Sequence, residues 1–470
     1  MVRRSKPSPL VGLKKKIAIV SMDLEAQGIG RVPEDDEHSP NKVIFVAGAL
    51  PGELVEYQIT QDKSKFLKGK LTEVIKPAVY RKTPVCPWYG NCGGCTMQHL
   101  DSRAQLALKQ RVLEDNLHFL GKVKASTMLS PIAGPDWGYR YRTRLSVVNR
   151  SIKKGTVLVG FHEPQNRYVS DMTSCEVLPK AWSNLLLELR TLVMKLSIRD
   201  RIPQIELAMG DQGGESVTAM VIRILLPLTK EDEAILRAFA DEHGVWVWTQ
   251  TQGPETVKPF YPLEGLLQYH LPEFGITMPF HPTDFTQVNH TMNQVLVGRA
   301  IRFLEIAPDE RVIDFFCGIG NFTLPMATLA QEVMGIEGSK ELCQRAQDNA
   351  VKNNITSKIH FQHVNLFEVE LQNLQNWGAY DKWLIDPPRD GAFSLVQALR
   401  DAYQTKTEEN LKLLPQRIVY VSCNPATLAR DAGILVNEAG YELSQAGIMN
   451  MFPHTSHVES IAVFNRINSM

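Results

Sequence analysis

The chain has 470 residues, and its 51 Lys and Arg balance its 51 Asp and Glu, so the formal net charge is zero. This length favours two to four domains rather than one compact core. Hydrophobic residues make up 44%, as in ordinary globular proteins. No segment has the apolar length that crosses a bilayer, and the basic N-terminus lacks the apolar stretch of a secretory signal. We therefore expect a cytoplasmic protein with no membrane partner.

The charges are unevenly distributed along the chain. Residues 1–82 hold 15 basic against 10 acidic side chains, and residues 122–170 hold 9 against 2. The remainder is correspondingly acidic. Basic segments beside an acidic remainder indicate a chain that holds a polyanion with one region and does chemistry with another. The plainer alternative, that these clusters are only solvated faces, stays open at this point.

Short β-branched runs separated by Gly and Pro turns occupy residues 13–80. Several short strands within about seventy residues predict a small OB-like β-barrel at residues 1–80. Such barrels commonly bind single-stranded nucleic acid in a basic groove. The side chains that we expect to provide charge and a stacking ring are Lys63, Lys65, Lys68, Lys70 and Phe66.

Three cysteines crowd into ten residues with the spacing C-x5-C-x2-C: Cys86, Cys92 and Cys95. Cys175 can provide a fourth thiolate. The odd total of seven cysteines without a signal peptide argues against a disulfide framework. Four thiolates suit either zinc or an iron–sulfur cluster, and the spacing departs from the paired C-x2-C of zinc ribbons. Both metals stay open on the residues alone.

The predicted secondary structure changes after the cysteine segment. Apolar spacing predicts a helix from about Leu100 to Leu120, and residues 130–280 read as strands and loops with one helix near Trp182 to Leu196. From Asp284 onward helices and strands alternate. This alternation predicts a doubly wound, Rossmann-like α/β domain with its ligand site at the carboxyl ends of the strands.

A glycine loop, D-F-F-C-G-I-G-N-F-T, follows an apolar strand from Asp314 to Thr323. Thr323 stands where the dinucleotide fingerprint has its third glycine, and Glu337 ends the next strand, where a carboxylate can bind ribose hydroxyls. The pattern favours S-adenosylmethionine over NAD, which stays possible. Asp386 begins D-P-P-R at the end of a later strand and would place a rigid carboxylate in the same cleft.

Cys423 follows another apolar strand, in the turn S-C-N-P that Pro425 fixes. A lone cysteine is more often a small buried hydrophobe, but this turn favours exposure in the cleft. A thiolate that adds to carbon 6 of uracil gives carbon 5 the electron density to attack a sulfonium methyl. A base must then remove the carbon-5 proton, and Glu459 is the candidate.

Five motifs resemble those of the RNA (uracil-5)-methyltransferase family. They are D-F-x-Q-V-N from Asp284 to Asn289, F-C-G-x-G-N-F, D-P-P-R, S-C-N-P, and H-x-E ending at Glu459. The N-terminal region resembles a TRAM domain, an OB-like RNA binder. The resemblance covers nearly the whole chain and is closest to the bacterial branch that acts on 23S ribosomal RNA at uridine 1939.

This resemblance implies roles for individual residues. Cys423 would be the nucleophile, Glu459 the proton acceptor, and Phe285 a neighbour of the flipped uracil. The contacts implied for S-adenosylmethionine are Gln287, Phe316, Asn321, Glu337, Asn365 and Asp386. The ligands implied for a [4Fe–4S] cluster, with zinc as the alternative, are Cys86, Cys92, Cys95 and Cys175.

We expect three domains: the barrel at 1–80, a β-rich central domain with the cysteine cluster at 81–280, and the methyltransferase domain at 281–470. A helix within about 97–130 is expected to pack on the catalytic domain. The expected protein is a monomer that acts on folded 23S rRNA with a flipped-out uracil. The rival hypotheses are methylation of another rRNA or tRNA uridine, methylation of an exocyclic amino group, and a non-catalytic RNA-binding factor.

Overall fold

The computed structural model describes residues 8–37, 39–164 and 166–467. Residues 1–7, the start of the predicted N-terminal domain, lie outside the described residues. The chain forms two compact units. The first comprises residues up to Lys109 together with Pro453–His457, and the second comprises Gln110–Phe452 and the residues from Val458 onward. Across the described ranges, no helix combines the length and the apolar character that a membrane span requires.

The first unit contains a six-stranded sheet. Its strands are β1 (Lys14–Ala18), β2 (Ser21–Met22), β3 (Gln27–Arg31), β4 (Val43–Ala47), β5 (Leu54–Asp62) and β6 (Phe66–Lys76). Their order is β1-β5-β6-β4-β3-β2, and only β4 and β6 run parallel. Buried and exposed side chains alternate along the strands, so Ile44, Val46, Val55 and Leu67 point into one core. These strands occupy the segment in which the sequence predicts the barrel.

Short turns follow β6 and lead to helix α1 (Ser102–Asn116). The helix continues as one wider π turn, Leu117–Gly121, so the predicted helix ending near Leu120 exists with a changed last turn. The short strand β7 (Thr127–Met128) follows.

A mixed eight-stranded sheet fills the middle of the chain. It contains β8 (Arg142–Asn149), β9 (Val157–Gly160), β10 (Gln204–Gln212), β11 (Glu215–Arg223), β12 (Val245–Gln250), β13 (Lys258–Tyr261), β14 (Leu267–Leu271) and β15 (Ile276–Phe280). The α-helices within this stretch are α2 (Ser151–Lys154), α3 (Lys180–Lys195) and α4 (Lys230–His243). The sequence predicts α3 to within two residues at each end.

The last third is a second eight-stranded sheet that alternates with helices. In chain order the elements are α5 (His290–Leu304), β16 (Arg311–Phe315), α6 (Thr323–Ala327), β17 (Glu332–Glu337), α7 (Lys340–Lys352), β18 (Ile359–His363), α8 (Leu371–Trp377), β19 (Lys382–Ile385), α9 (Phe393–Thr405), α10 (Glu408–Leu411), β20 (Arg417–Ser422), α11 (Pro425–Glu438), β21 (Tyr441–Met449) and β22 (Glu459–Arg466). The strand order is β18-β17-β16-β19-β20-β22-β21-β7. Strands β16 to β20 are mutually parallel, and β22 runs antiparallel to both of its neighbours.

The π turn packs backbone to backbone against α11. A Cβ on Gly433 would lie 2.8 Å from the Gly121 carbonyl oxygen, and a Cβ on Gly121 would clash with the Ala429 carbonyl. Glycine is required here because no side chain fits between the two backbones. The contact fixes α11, the helix that begins two residues after Cys423.

We expect Gly121→Ala to destabilise the protein by about 1–3 kcal/mol, because the added methyl group forces apart two packed backbones. The measurement is the midpoint of urea denaturation. Gly338→Ala is the matched control, since its Cβ would meet only the Val364 oxygen, at an ordinary 3.8 Å. Equal midpoints for the two variants would contradict the proposed packing constraint.

Candidate active site

Four parallel strands end at the same edge of the catalytic sheet. The residue that follows or ends each strand is Phe316 after β16, Glu337 in β17, Asp386 after β19 and Cys423 after β20. Because the carboxyl ends of adjacent parallel strands meet, these side chains gather around one cleft. The sequence predicts this gathering from the strand–motif pattern.

The strand register brings Cys423 and Glu459 side by side. Strands β20 and β22 are antiparallel and pair Ser422 with Ser460. Continued by one position beyond this last pair, the register places Cys423 opposite Glu459, and Glu459 acts electrostatically on the Cys423 thiol. Cys423 is half-buried and Glu459 is 2% exposed. The fold therefore brings together the two residues that the sequence singles out, although they are 36 positions apart in the chain.

The cleft disfavours negative charge. Burial raises the pKa of Cys423 to about 11, and the nearby carboxyls of Glu459 and Asp386 act in the same direction. Burial also raises the pKa of Asp386 to about 7, although part of this residue still reaches solvent. The pKa of Glu459 lies well above its usual range because of burial and the neighbouring Asp386. Three groups that would be anionic when ionised thus share one poorly solvated space.

Two features oppose this effect at the thiol. The guanidinium of Arg389 lowers the pKa of Cys423, as does a backbone hydrogen bond at Cys423 itself. Cys423 also lies two residues before the first residue of α11, whose N-terminus carries a partial positive charge. The role of Arg389 was not inferred from the sequence, although the residue lies within D-P-P-R.

The glycine loop has the geometry of a cofactor loop. Phe316 adopts a positive φ of 64°, and Gly318 and Gly320 adopt 56° and 93°. Glu337 accepts a hydrogen bond from Gly318 N at 3.0 Å through Oε2 and one from Ser339 N at 2.9 Å through Oε1. Each oxygen keeps a lone pair, so the carboxylate can still accept ribose hydroxyls.

Asn321 is held from two sides by side chains of other elements. Its Oδ1 accepts hydrogen bonds from Tyr269 OH at 2.8 Å and from Asn293 Nδ2 at 2.9 Å, and its Nδ2 donates to Asn293 Oδ1 at 3.0 Å. Only one Nδ2 hydrogen remains outside this network. Sequence reasoning missed Tyr269 and Asn293, which stand outside the quoted functional positions.

Asp314 is a further residue to which the sequence analysis assigned no role. It lies inside β16 with 0% exposure, and Thr323 Oγ1 donates to its Oδ2 at 2.5 Å. Its other oxygen has no hydrogen-bond partner within the described residues. Burial raises the pKa of Asp314 to about 8. The available signal was a carboxyl group between the apolar residues Ile313 and Phe315 of this strand. Its hydrogen bond from Thr323 links β16 to the first residue of α6.

The D-F-x-Q-V-N loop is fastened at Asp284. Asp284 Oδ2 accepts from His281 N at 2.7 Å and forms an ion pair with Arg345 at 2.9 Å. Arg142 donates to the carbonyls of Thr283, at 2.8 Å, and Asp284. Phe285 is 69% exposed, an unusual position for a large apolar side chain in a loop held so firmly. Gln287, two residues on, is partly exposed.

Asn365, unlike the other predicted cofactor contacts, caps a short 3-10 turn. It is exposed, follows β18, and caps the 3-10 turn Leu366–Glu368 by accepting from Phe367 N at 3.2 Å. The Phe367 ring lies 5.9 Å from the Phe316 ring. The residue therefore fixes the turn that carries an aromatic neighbour of Phe316.

The four cysteines of the predicted metal site are distributed over the two units. Cys86, Cys92 and Cys95 lie in the turns of the first unit, where Gly94 N donates to Cys92 Sγ at 3.4 Å and Cys86 N donates to Gln98 Oε1 at 3.1 Å. Cys175 is buried in the second unit. Within the described part of the chain, no three His, Cys, Asp or Glu side chains are arranged to hold a metal ion.

The same turns bind the segment Pro453–His457. The His454 carbonyl accepts from Thr96 N at 2.9 Å and Met97 N at 3.1 Å, and Gln105 Oε1 accepts from His454 N at 2.9 Å. Gln105 is completely buried, and its Nε2 donates to the Leu100 carbonyl at 2.8 Å. These bonds fix the chain in the first unit five residues before Glu459.

We expect Asp386→Asn to gain stability relative to the parent protein as the pH rises from 6 to 8.5. The folded parent keeps the Asp386 proton to about pH 7, whereas the unfolded chain has lost it near pH 4, so this group's stabilising contribution is present at low pH and disappears as the pH rises. An amide cannot lose that proton. Thermal unfolding midpoints of both proteins across this range test the expectation, and a constant difference between them would contradict it.

The comparisons with known proteins agree with this architecture. The sequence model of the tRNA (Uracil-5-)-methyltransferase family matches residues 275–467, and that of the TRAM domain matches residues 16–72. The crystal structure of Pyrococcus abyssi tRNA (uracil-54, C5)-methyltransferase in complex with S-adenosyl-L-homocysteine has a TM-score of 0.69 and 22% identity, covering 96% of this chain and 100% of that chain. The predicted fold class is confirmed: a Rossmann-like α/β domain with an OB-like N-terminal barrel and a β-rich centre.

Curated relatives match over almost the entire length. The 23S rRNA (uracil(1939)-C(5))-methyltransferase RlmD of Polynucleobacter necessarius subsp. necessarius (strain STIR1) is 56% identical over 469 residues, covering 97% of this chain and 98% of the relative. The protein of the same name from Cupriavidus pinatubonensis (strain JMP 134 / LMG 1197) is 59% identical over 450 residues, covering 96% and 95%. With this identity and coverage, the chain belongs to the RNA (uracil-5)-methyltransferase family.

Proposed function

We propose that this protein transfers a methyl group from S-adenosylmethionine to carbon 5 of uridine 1939 in 23S rRNA. The observation that carries the proposal is the proximity of a half-buried thiol, Cys423, to a buried carboxyl, Glu459, directly beyond the Ser422–Ser460 pair at the edge of the sheet that also bears the glycine loop. The target is inferred from the names of relatives that are 56% and 59% identical to this chain.

The reaction needs both residues. The Cys423 thiolate adds to carbon 6 of uracil, forming an S–C6 bond and an enolate. Carbon 5 then takes the methyl group that the sulfonium of S-adenosylmethionine supplies, leaving the neutral thioether. Glu459 removes the carbon-5 proton, the electron pair restores the C5–C6 double bond, and the S–C6 bond breaks to release the thiolate.

The electrostatics of the cleft suit this order of events. A raised pKa makes the ionised form of Glu459 a stronger base than a surface carboxylate. The pKa of Cys423 near 11 leaves little thiolate at neutral pH, so cations that lower it promote the first step. Arg389 is such a cation, and the positive charge of the sulfonium would act in the same direction.

We propose that the methyl donor is held by Gln287, Phe316, Asn321, Glu337, Asn365 and Asp386. The lone pairs left on Glu337 suit ribose hydroxyls, and Asp386 suits a cationic ligand. Asn321 is oriented by Tyr269 and Asn293, which argues for a fixed donor geometry in the cleft. The exposed ring of Phe285 suits stacking on a uracil that has left its RNA helix.

RNA would be bound through the N-terminal barrel as well as through the cleft. Lys63, Lys65 and Lys70 are exposed on or beside β6, where they can meet phosphates. By contrast Arg142, in the basic segment around residue 140, already donates hydrogen bonds to the Thr283 and Asp284 carbonyls.

We propose the division predicted from the sequence, with the barrel at 1–80, a central domain at 81–280 and the catalytic domain at 281–470. Action as a cytoplasmic monomer is part of the same proposal.

We also propose that Cys86, Cys92, Cys95 and Cys175 hold a [4Fe–4S] cluster, with zinc as the alternative. In support, three of the thiols lie within ten residues, and the Gly94 N–H donates to the Cys92 sulfur as such groups do to metal-bound thiolates. Methyl transfer needs no electron, so a cluster here would stabilise the turns of the first unit.

The functional test combines two variants with 23S rRNA and labelled S-adenosylmethionine. Cys423→Ala should bind both substrates yet lose at least about 10³-fold in methyl transfer, because no adduct can form. Glu459→Gln should transfer the methyl group once and accumulate a denaturant-stable protein–RNA adduct, because the carbon-5 proton stays in place.

The control is Cys343→Ser, a half-buried cysteine outside the proposed chemistry, which should form product as the parent does. Substantial turnover by Cys423→Ala would contradict the covalent mechanism. Methylation of tRNA in preference to 23S rRNA by the parent would replace the proposed target, and absence of S-adenosylmethionine binding would favour a non-catalytic RNA-binding factor.

Protein purified without oxygen should contain about four iron atoms and four sulfides per chain. Cys92→Ser should lose most of both and have a lower thermal midpoint, whereas Cys343→Ser should keep them. Bound zinc without sulfide would replace the iron–sulfur proposal by its alternative.

A further inference from the structure

Side chains on one face of α11 donate hydrogen bonds to the backbone of the loop at residues 388–392, which contains Arg389. Asn424 Nδ2 donates to the Arg389 carbonyl at 3.0 Å, and the Thr427 hydroxyl, shared with the Asn424 carbonyl, lies 3.2 Å from the same oxygen. One turn further on, Arg430 donates to the Asp390 carbonyl at 2.9 Å. Residues three apart on a helix lie on one face, so these side chains meet successive peptides of the loop.

The buried carboxylate of Asp431 binds the last residue of this loop, Ala392. Asp431 has 0% exposure, and its Oδ2 accepts from Ala392 N at 2.8 Å and from Tyr420 OH at 2.7 Å. Its Oδ1 accepts from Arg430 Nε at 2.8 Å, which orients that guanidinium toward the loop. The loop and the helix are therefore joined by a continuous hydrogen-bond network.

Gly391 shows how closely the two elements approach. Its φ is +78°, and a Cβ there would lie 2.6 Å from Arg430 Nη2, 2.8 Å from Asp431 Oδ2 and 3.0 Å from Thr427 Cβ. The turn itself is closed by a hydrogen bond from Gly391 N to the Pro388 carbonyl at 2.9 Å. The backbone of residues 388–392 thus has little freedom to move away from α11.

We propose that Asn424, Thr427, Arg430 and Asp431 form a clamp, the α11 clamp, that fixes the loop backbone at residues 389–392 and so keeps the exposed Arg389 side chain within electrostatic reach of the Cys423 sulfur. The clamp residues are positioning residues, since they touch the loop backbone and act through Arg389. The proposal rests on the proposed function insofar as Cys423 is the nucleophile.

The clamp affects the Cys423 thiol because charged groups of both signs act on it. Glu459 from β22 and Asp386 from the end of β19 both disfavour the thiolate, while Arg389 favours it. Attraction between opposite charges weakens with distance, so a loop that drifts outward leaves the two carboxyls without their opposing cation. A fixed loop backbone therefore helps to keep the thiolate accessible near neutral pH.

The test measures alkylation of Cys423 by iodoacetamide as a function of pH, followed by mass spectrometry of the peptide that contains it. Thr427→Val removes a hydroxyl without changing charge or shape, and Arg430→Gln removes the next contact. We expect the alkylation midpoint to move upward by roughly half a pH unit in each, which is about a 3-fold loss of thiolate at pH 7. Arg389→Gln removes the cation itself, so we expect it to raise the alkylation midpoint more than either clamp variant does, by roughly one pH unit.

Thr191→Val is the control, because Thr191 on the exposed face of α3 also bonds a helix carbonyl, that of Leu187 at 3.3 Å. It should leave the midpoint unchanged. Midpoints equal to the parent's in both Thr427→Val and Arg430→Gln would overturn the clamp, as would a shift of equal size in the control.

The two proposals can fail separately. If the parent protein does not methylate 23S rRNA, the proposed function fails while the alkylation shift still reports on the clamp. If the parent methylates RNA and the midpoints do not move, the clamp fails alone. In the supporting case, methyl transfer by Thr427→Val should stay about 3-fold below that of the parent at pH 7, and the deficit should shrink only as the pH approaches the alkylation midpoint, which a general loss of folding would not do.

Discussion

The antiparallel pairing of β20 with β22 is the constraint on which the site depends. It alone determines that residue 459 stands beside residue 423, because a shift of one position would turn every side chain of β22 to the opposite face. The register is fixed on both sides of β22, since β21 pairs with it along eight residues of the other edge. The C-terminal hairpin of β21 and β22 thus places Glu459 at the carboxyl end of the parallel strand β20.

A second constraint is electrostatic. Asp314, Asp386 and Glu459 all have raised pKa values, and in each case burial is the first cause. An uncharged or singly charged cleft is compatible with a cationic methyl donor and with an RNA whose backbone is negative. Arg389 and the N-terminus of α11 provide the opposing positive potential at the sulfur, and both belong to elements that follow adjacent strands.

Much of this could be predicted from the sequence because strand–turn–helix patterns fix the location of their end residues. Cys423, Asp386 and Glu337 each follow or end an apolar run, so their common edge followed from the doubly wound topology. Asn321 was predicted as a ligand contact, but its partners Tyr269 and Asn293 could not be, since their proximity depends on how distant elements pack. Between Asp386 and Cys423 the chain forms two helices, α9 and α10, which are divided at Lys406, where φ is +54°.

The membership of Pro453–His457 in the first unit has a consequence for biosynthesis. The turns around Thr96 and Met97 donate to the His454 carbonyl, and buried Gln105 accepts from His454 N. A ribosome adds residue 454 only after all the residues that precede it in this sequence. These hydrogen bonds therefore cannot form until residue 454 has been synthesised and has left the exit tunnel, so the first unit completes its packing late in synthesis.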